Sequence, residues 1–491
     1  MTSAAYSQVP YNIRLDNGLT QAQGKILHEL KDSYLCIGRG FNSSTSMGEG
    51  IFTTEIDKNT GEVLYNTQFE IPNRTLLTGN INNVISIDNK VYFLTKSRLD
   101  IFLCYYDEST NEIITEKILI PQVQTPIIFL YDFHYKDGII HILAHVEIGN
   151  TNKSSLLIIK YDLENDIQTE IIIDDEDIDP VFAKMEFLSN GNMLIQYTTY
   201  SNGAWLNIQE VDTLGNILWN YQFSKQYAGL VNRMIPIDSN LYLLGGGIGK
   251  YFGENFKQTP YMVLFDYNQR KIIKESTFSM TLNEYSSWND QTQEITRSHD
   301  GVHFLGVSEL YNFQQDPDTI IGKGMVAKVD TNLNTIWRRS YSILDSNFVG
   351  HTLEDIIRTS DGNYLCYGKA YYYTIPPGEV PILSWVFKID EDGKIIGDTT
   401  TATVDWVDEE LIDQIEVFPN PASDMIYINQ NEIDHVSYQV FDIEGRLEDE
   451  FSIDHQNESV MKPIDRWKKG YKIIRMLKDG NLIGSLKILK M

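Results

Sequence analysis

The sequence predicts an all-β chain, a seven-bladed β-propeller followed by a small C-terminal β-sandwich. Two observations predict the propeller: two series of Asp/Asn turn signals that alternate along most of the chain, and apolar strand-like runs between them. A change of pattern beyond residue 400 predicts the sandwich. The first series leads into a strand, in "KDSYLCIG" (Asp32), "IDNKVYFL" (Asp88), "KDGIIHIL" (Asp137), "SNGNMLIQ" (Asn190), "IDSNLYLL" (Asp238), "HDGVHFLG" (Asp300) and "SDGNYLCYG" (Asp361). The second closes one, in "TEIDKNTGEVLY" (Asp57), "CYYDESTNEII" (Asp107), "IKYDLENDIQTE" (Asp162), "QEVDTLGNILW" (Asp212), "LFDYNQRKII" (Asp266), "AKVDTNLNTIW" (Asp330) and "FKIDEDGKII" (Asp390).

Asp and Asn bond the backbone two residues on and tolerate left-handed dihedrals, which Gly adopts freely. Each landmark is therefore a hairpin turn, and two hairpins per period of roughly 50 to 60 residues make a four-stranded antiparallel sheet. One such sheet cannot bury both faces alone; seven packed radially bury them against one another. A solenoid of the same hairpins is the alternative. The stretch "YNIRL", residues 11–15, stands where it would complete the last blade and latch the ring.

The totals agree. A chain of 491 residues accommodates one large domain and a small one. Its 29 Tyr against 14 Pro favour strands over disorder. A formal charge of −28 repels phosphate backbones and argues against a general nucleic-acid role. Cys36, Cys104 and Cys366 are too few for a disulfide framework and read as small buried hydrophobes. No run of 18 apolar residues occurs, so no helical membrane span is expected. At the start, Ala5-x-Ser7 has the small residues that precede a signal-peptidase cut, without the basic and apolar segments before it, so residues 1–8 read as a signal-peptide remnant.

The phrases "SDGNYLCYGKA", "FKIDEDGKI" and "QEVDTLGNILWNYQF" resemble the repeats of secreted bacterial propellers related to the quinoprotein-like and delta-60-type families, which often end in Trp, as at Trp219 and Trp337. The resemblance carries architecture; the cofactor constellation of the quinoprotein dehydrogenases is not found in the sequence. The propeller is expected over 9–400 and a Thr- and acid-rich linker over 401–413.

Beyond the linker, "IEVFPNPASDMIYI", "YQVFDIEGRL" and "KKGYKIIRMLKDGNLIGSLKILK" alternate apolar and polar residues between turn signals, the pattern of a small β-sandwich. Phe418-Pro419-Asn420-Pro421, Asp442 to Gly445-Arg446, Gly470-Tyr471, and Lys487 to Lys490 occur in the order that resembles the type A C-terminal sorting domain of the type IX secretion system, over 414–491. The resemblance implies that Pro419, Asn420, Pro421, Asp442, Gly445, Arg446, Gly470, Tyr471, Lys487 and Lys490 carry the sorting signal and that the partner is the type IX machinery. It also implies a protein secreted from, or displayed on the outer surface of, a Gram-negative bacterium. From Lys462 onward nine Lys and Arg face two acids, Asp465 and Asp479, a basic segment in an acidic chain.

Chemistry is harder to place. His141 and His145 on a strand lie about 13 Å apart, too far for one metal. His299 and His303 flank a turn with no further ligand evident. The acidic runs Asp174–Asp179 and Asp390–Gly393 are candidates for Ca²⁺ but match no EF-hand loop and read as a solvated loop and a hairpin turn, so no cofactor is expected. The Gly-rich Leu243–Gly253 lacks the P-loop Lys and reads as close strand packing. Aromatic loops remain: Tyr251 beside Phe252, Tyr285 with Trp288, and Tyr371, Tyr372 and Tyr373 beside Pro376 and Pro377. Exposed aromatics stack on sugars and anchor proteins. The favoured reading is a monomeric module that binds a glycan or protein through Tyr251, Tyr285, Trp288, Tyr371 and Tyr372. The alternatives are a polysaccharide hydrolase or lyase with paired carboxylates in the propeller funnel, and a structural adhesion component.

Overall fold

A computed structural model describes residues 12–15, 21–41, 50–70, 76, 83–97, 100–121, 127–148, 153–173, 180–199, 205–223, 228–252, 255–277, 292–313, 320–341, 350–371, 382–396, 404–405, 415–430, 435–442, 446–454, 459–478 and 481–491. All regular structure among them is strand, and no helix there is long and apolar enough to cross a membrane. The chain divides into two compact units. One runs to Ala402 apart from two short segments; the other comprises Thr403–Met491 with those segments.

The first unit is a β-propeller of antiparallel four-strand groups in sequence order. The first group is Gln21–Glu29, Ser33–Phe41, Gly50–Asp57 and Val63–Phe69; the next five span 85–119, 127–173, 180–222, 228–277 and 292–341. The last holds Gly350–Arg358, Tyr364–Tyr371 and Ile382–Ile389, and its fourth strand is Asn12–Leu15 from the other end of the chain. This strand pairs in register from Asn12↔Phe387 to Leu15↔Ser384, and Trp385 Nε1 donates to Asn12 Oδ1 at 2.8 Å. The latch expected of "YNIRL" is thus formed, and the grouping is consistent with seven blades.

The turns follow the chemistry read from the sequence. Every Asp of the second series accepts backbone N–H bonds within its own turn: Asp57 from Asn59 and Thr60, Asp107 from Ser109, Asp162 from Glu164 and Asn165, Asp212 from Leu214 and Asn216, Asp266 from Gln269, Asp330 from Asn332 and Asn334, and Asp390 from Asp392 and Lys394. In the first series Asn190, Asp238, Asp300 and Asp361 do the same, whereas Asp88 and Asp137 turn the chain at φ of 54° and 52°.

Stacked faces make the core. Third strands such as Ile101–Asp107 are buried almost throughout, while fourth strands such as Val63–Phe69 are largely exposed. Apolar clusters straddle neighbouring groups: Ile26, Leu35 and Ile37 with Val91, Phe93 and Phe102; Leu143 and Ile158 with Met185 and Ile195; and, joining last to first, Leu365 and Val386 with Leu27 and Cys36. All three cysteines are free and buried. At Gly245 an added Cβ would strike the Ile295 side chain of the next group, the close packing expected of the Gly-rich run.

The second unit contains a three-stranded sheet, ordered Ile415–Phe418, Met425–Gln430, Ser459–Pro463, and a four-stranded sheet, ordered Leu447–Ile453, Val436–Asp442, Gly470–Lys478, Asn481–Lys490. Ile426 and Ile428 from the first pack with Tyr438, Val440, Ile474 and Met476 from the second, around Trp467, which makes a β-sandwich.

Candidate functional site

The first strands of successive groups touch one another, 127–136 with 180–187, 180–187 with 228–236, 228–236 with 292–297, 292–297 with 350–358, and 350–358 with 21–29, so they form the inner wall. Six of them break register at one level: Gly24/Ile26, Leu130/Asp132, Val181/Lys184, Val231/Arg233, Thr292/Glu294 and Leu353/Asp355. A bulge re-aims side chains and frees backbone groups from the ladder. Freed groups buried from water need partners. Here the neighbouring blade supplies them.

Asp132 Oδ2 accepts from Met185 N at 3.0 Å, and Lys184 Nζ returns a bond to Tyr131 O at 2.9 Å. Asn83 Nδ2 donates to Phe133 O, and Asn232 Nδ2 to Thr292 O at 3.0 Å. Arg233 Nε lies 2.7 Å from Glu294 Oε1. At the junction of last and first groups, Asp355 Oδ2 accepts from Leu27 N at 2.6 Å, and Glu354 takes Lys25 at 2.6 Å and Lys369 at 3.1 Å.

Burial sets the protonation of this belt. Burial pushes the Asp132 carboxyl up, but His134 at 3.2 Å and Lys184 outweigh it and hold it well below the carboxylate range. Burial likewise opposes Lys25 and Lys369 at Glu354, and the two lysines prevail, holding it at about 2. Glu294 and Asp355 go the other way. Burial raises Glu294 beyond what Arg233 and Lys184 offset; burial and repulsion by Glu294 raise Asp355 above what its two backbone N–H bonds hold down. The belt thus holds a carboxylate pair of elevated pKa, a feature seen in acid–base sites. Glu294 is 4% exposed and Asp355 2%, so both carboxyls are buried in the wall.

A second belt of polar bonds joins neighbouring groups near the turns. It includes Tyr106 OH to Glu55 at 2.7 Å, Lys160 Nζ to Thr213 O at 3.0 Å, Tyr267 OH to Glu210 at 2.8 Å, Lys328 with Glu391, and Lys388 Nζ to Tyr34 OH at 2.9 Å.

The tail residues singled out in the sequence converge on one end of the sandwich. Strands Val436–Asp442 and Asn481–Lys490 end there, and Leu447–Ile453 and Gly470–Lys478 begin there, with Asp442 opposite Lys472 and Gly470 opposite Lys490. The Pro419–Pro421 turn reaches the same place. Asn420 Oδ1 accepts from Leu489 N at 2.9 Å, Ala422 N donates to Leu489 O at 2.8 Å, and Met491 N donates to Ala422 O at 2.8 Å. Lys490 Nζ, buried, donates to Ser423 O. Asp442 closes its hairpin on Arg446, accepting from its backbone N at 2.9 Å and its Nε at 2.7 Å. Gly470 sits at φ 120°, a left-handed geometry that glycine tolerates. Gly445 lies outside the described residues, as does the Lys487 side chain.

The other expected site residues divide. Tyr285, Trp288 and Tyr372 lie outside the described residues, as do the side chains of Tyr251 and Tyr371 and the acidic run 174–179. His145 Nδ1 meets Tyr131 OH at 3.2 Å, while His141 packs edge-on to Phe187 and is pushed down to about 4 by burial and then by Lys160. His299 Nε2 meets Asn363 O at 2.9 Å and His303 Nδ1 meets Asp300 at 2.6 Å, so these two have separate partners. Among the described residues no three His, Cys, Asp or Glu are grouped to hold a metal ion. Sequence reasoning did not find the inner belt. Its one signal there is a charged residue five to seven positions ahead of six of the seven first-series landmarks, at Lys25, Asp132, Lys184, Arg233, Glu294 and Asp355.

Residues 416–490 match the secretion system C-terminal sorting domain family. Among solved structures, the polysaccharide lyase Uly1 is similar at 9% identity and a TM-score of 0.41, over 75% of this chain and 90% of that one. The β-propeller domain of the Trilobed protease from Pyrococcus furiosus is similar at 12% identity and a TM-score of 0.31, over 74% and 94%. Likeness this distant carries nothing about activity. No protein of curated function matches the chain in sequence. The chain carries a type IX secretion sorting domain behind a β-propeller, and it is a secreted or cell-surface protein.

Proposed function

We propose that this secretion-sorted propeller is a binding module on the outer surface of a Gram-negative bacterium, taking a glycan or protein through the loops that carry Tyr251, Tyr285, Trp288, Tyr371 and Tyr372. The observation that supports binding over catalysis is the state of the inner wall. The carboxylates that an acid–base mechanism would use are buried, and Asp132, Glu294, Glu354 and Asp355 are engaged in bonds between blades. A stapled ring is a rigid platform, and rigid platforms present variable loops.

A thermal-shift screen of the full chain against polysaccharides and oligosaccharides, each with and without Ca²⁺, tests the reading. A ligand of the folded state raises Tm by mass action, and 100 Kd of ligand stabilises by about 2.7 kcal/mol. A rise with one glycan class that Trp288→Ala abolishes supports the loops as the site. A rise untouched by Trp288→Ala and Tyr372→Ala overturns the loop assignment, and no rise with any sugar overturns the glycan arm in favour of a protein ligand. A rise that needs Ca²⁺ supports metal at the acidic loops.

A further inference from the structure

The nine Lys and Arg of the tail's basic segment, which begins at Lys462, are not equivalent once folded. Lys472 and Lys490 are buried, Lys472 at 2.8 Å from Glu448 and Lys490 in the clamp on Ser423. Lys462 is held at 3.0 Å by Asp449, and Arg475 lies over the Phe441 ring at 5.1 Å. Arg466, Lys468 and Lys469 are exposed, and among the described residues none of the three has an ion-pair partner, in a chain that offers 68 acids.

These three are fixed in place rather than left on a loose loop. Trp467, between them, is 4% exposed; its N donates to Ile464 O at 3.1 Å and its Nε1 to Asp449 at 2.9 Å. Ile464 N is tied in turn to Asp424 O at 2.8 Å, and Gly470 is paired with Lys490. The run therefore presents cations to solvent at the end of the sandwich where the Asn420 clamp, the Asp442 hairpin and the exposed Tyr471 and Phe418 meet.

We infer that Arg466, Lys468 and Lys469 form a docking surface for an acidic protein patch on the export machinery. This rests on the sorting reading of the tail and adds a division of labour to it: the Asn420 and Lys490 contacts hold the last strand, and the three cations meet the partner. Three cations without an ion-pair partner among the described residues, against the one neighbouring acid Asp465, leave a net positive turn that steers an acidic partner and penalises a basic one. The exposed Tyr471, which follows the run, adds area that a protein surface can cover.

The test expresses the full chain in a host with a type IX system and measures the extracellular fraction. Lys468→Gln with Lys469→Gln removes two units of charge, and Arg475→Glu removes the same number elsewhere on the sandwich. The expected result is a fall of about tenfold in export with unchanged Tm for the double variant, and little change in export for Arg475→Glu even though it gives up the contact with the Phe441 ring. Equal export by all three proteins overturns the surface, and an equal fall in both variants reduces it to net charge. If the double variant is exported normally but loses binding to lipopolysaccharide vesicles that the unaltered chain shows, the partner is a lipid headgroup and the protein assignment falls. Failure of the unaltered chain to leave the cell, when an inner-membrane signal peptide has been placed ahead of it and the tail is folded, overturns the sorting reading itself.

Discussion

The propeller wall and the sorting tail both bridge side chains to distant backbone, but they divide the task differently. Along the wall, Asp132, Lys184, Asn232 and Asp355 each bond the backbone of a neighbouring blade, so the same task is repeated around the ring with different chemistry each time. In the tail the corresponding task falls to one turn, where Asn420 and Ala422 seat the end of the last strand. Repetition places a staple at many junctions and makes each one locally important. A single clamp concentrates the placement of the C-terminal strand, and of the surface beside it, in a few residues.

The largest effect should come from the wall. Asp132→Ala takes the carboxylate away from buried Lys184 and half-buried His134 and leaves Met185 N without its side-chain acceptor. Removing one member of a buried ion pair costs about 3–5 kcal/mol. Urea denaturation should show that loss in the propeller, with faster amide exchange at Met185. A loss below about 1 kcal/mol would mean the wall tolerates an unpaired charge by admitting water, and the contrast with the tail would weaken.

A second test uses pH, because the wall holds carboxylates of both kinds. Glu354 is depressed, so its contribution to stability is present above the ordinary Glu value and is lost as pH falls toward about 2. Glu294 and Asp355 are raised, so their contribution is present below the ordinary carboxylate range and is lost as pH climbs through their folded values. Asp355→Asn removes one of the two repelling carboxyls; its amide oxygen can still accept from Leu27 N, but its NH2 replaces the oxygen that accepts from Ile356 N. The alkaline loss of stability should shrink in that variant and the acid limb should stay. A profile in which both limbs match the unaltered chain would place the Glu294–Asp355 repulsion in the structure without consequence for stability.

The turns were legible in the sequence because their cause is local. All seven Asp of the second series cap their own hairpins, as the spacing of Asp, Asn and Gly implies. The Asn12–Leu15 latch was legible from its position in the chain alone. The polar wall was not, because its members differ in type from blade to blade and act on backbone far along the chain. Asp132 reaches across 53 residues to Met185, and Asp355 across 328 to Leu27. Only their near-constant offset from the turns betrays them. Nor was the split of the tail's basic residues into buried and presented ones. Lys472 and Lys469 read alike in sequence, and only strand register sends one inward to Glu448.

The smallest effect, Asn420→Ala, is the sharpest on the comparison. It removes one acceptor for Leu489 N, and a typical hydrogen bond contributes about 1 kcal/mol. Global stability should therefore move little. Amide exchange should rise at Leu489 and Lys490 and should leave the Asp442–Arg446 hairpin as it was, because that hairpin is closed by its own bonds. If the last strand is held by this one clamp, the local opening should be large relative to the global loss. If exchange at Leu489 does not change, the pairing of Gly470 with Lys490 is sufficient to seat the strand, and the tail, like the propeller wall, spreads its task over several bonds.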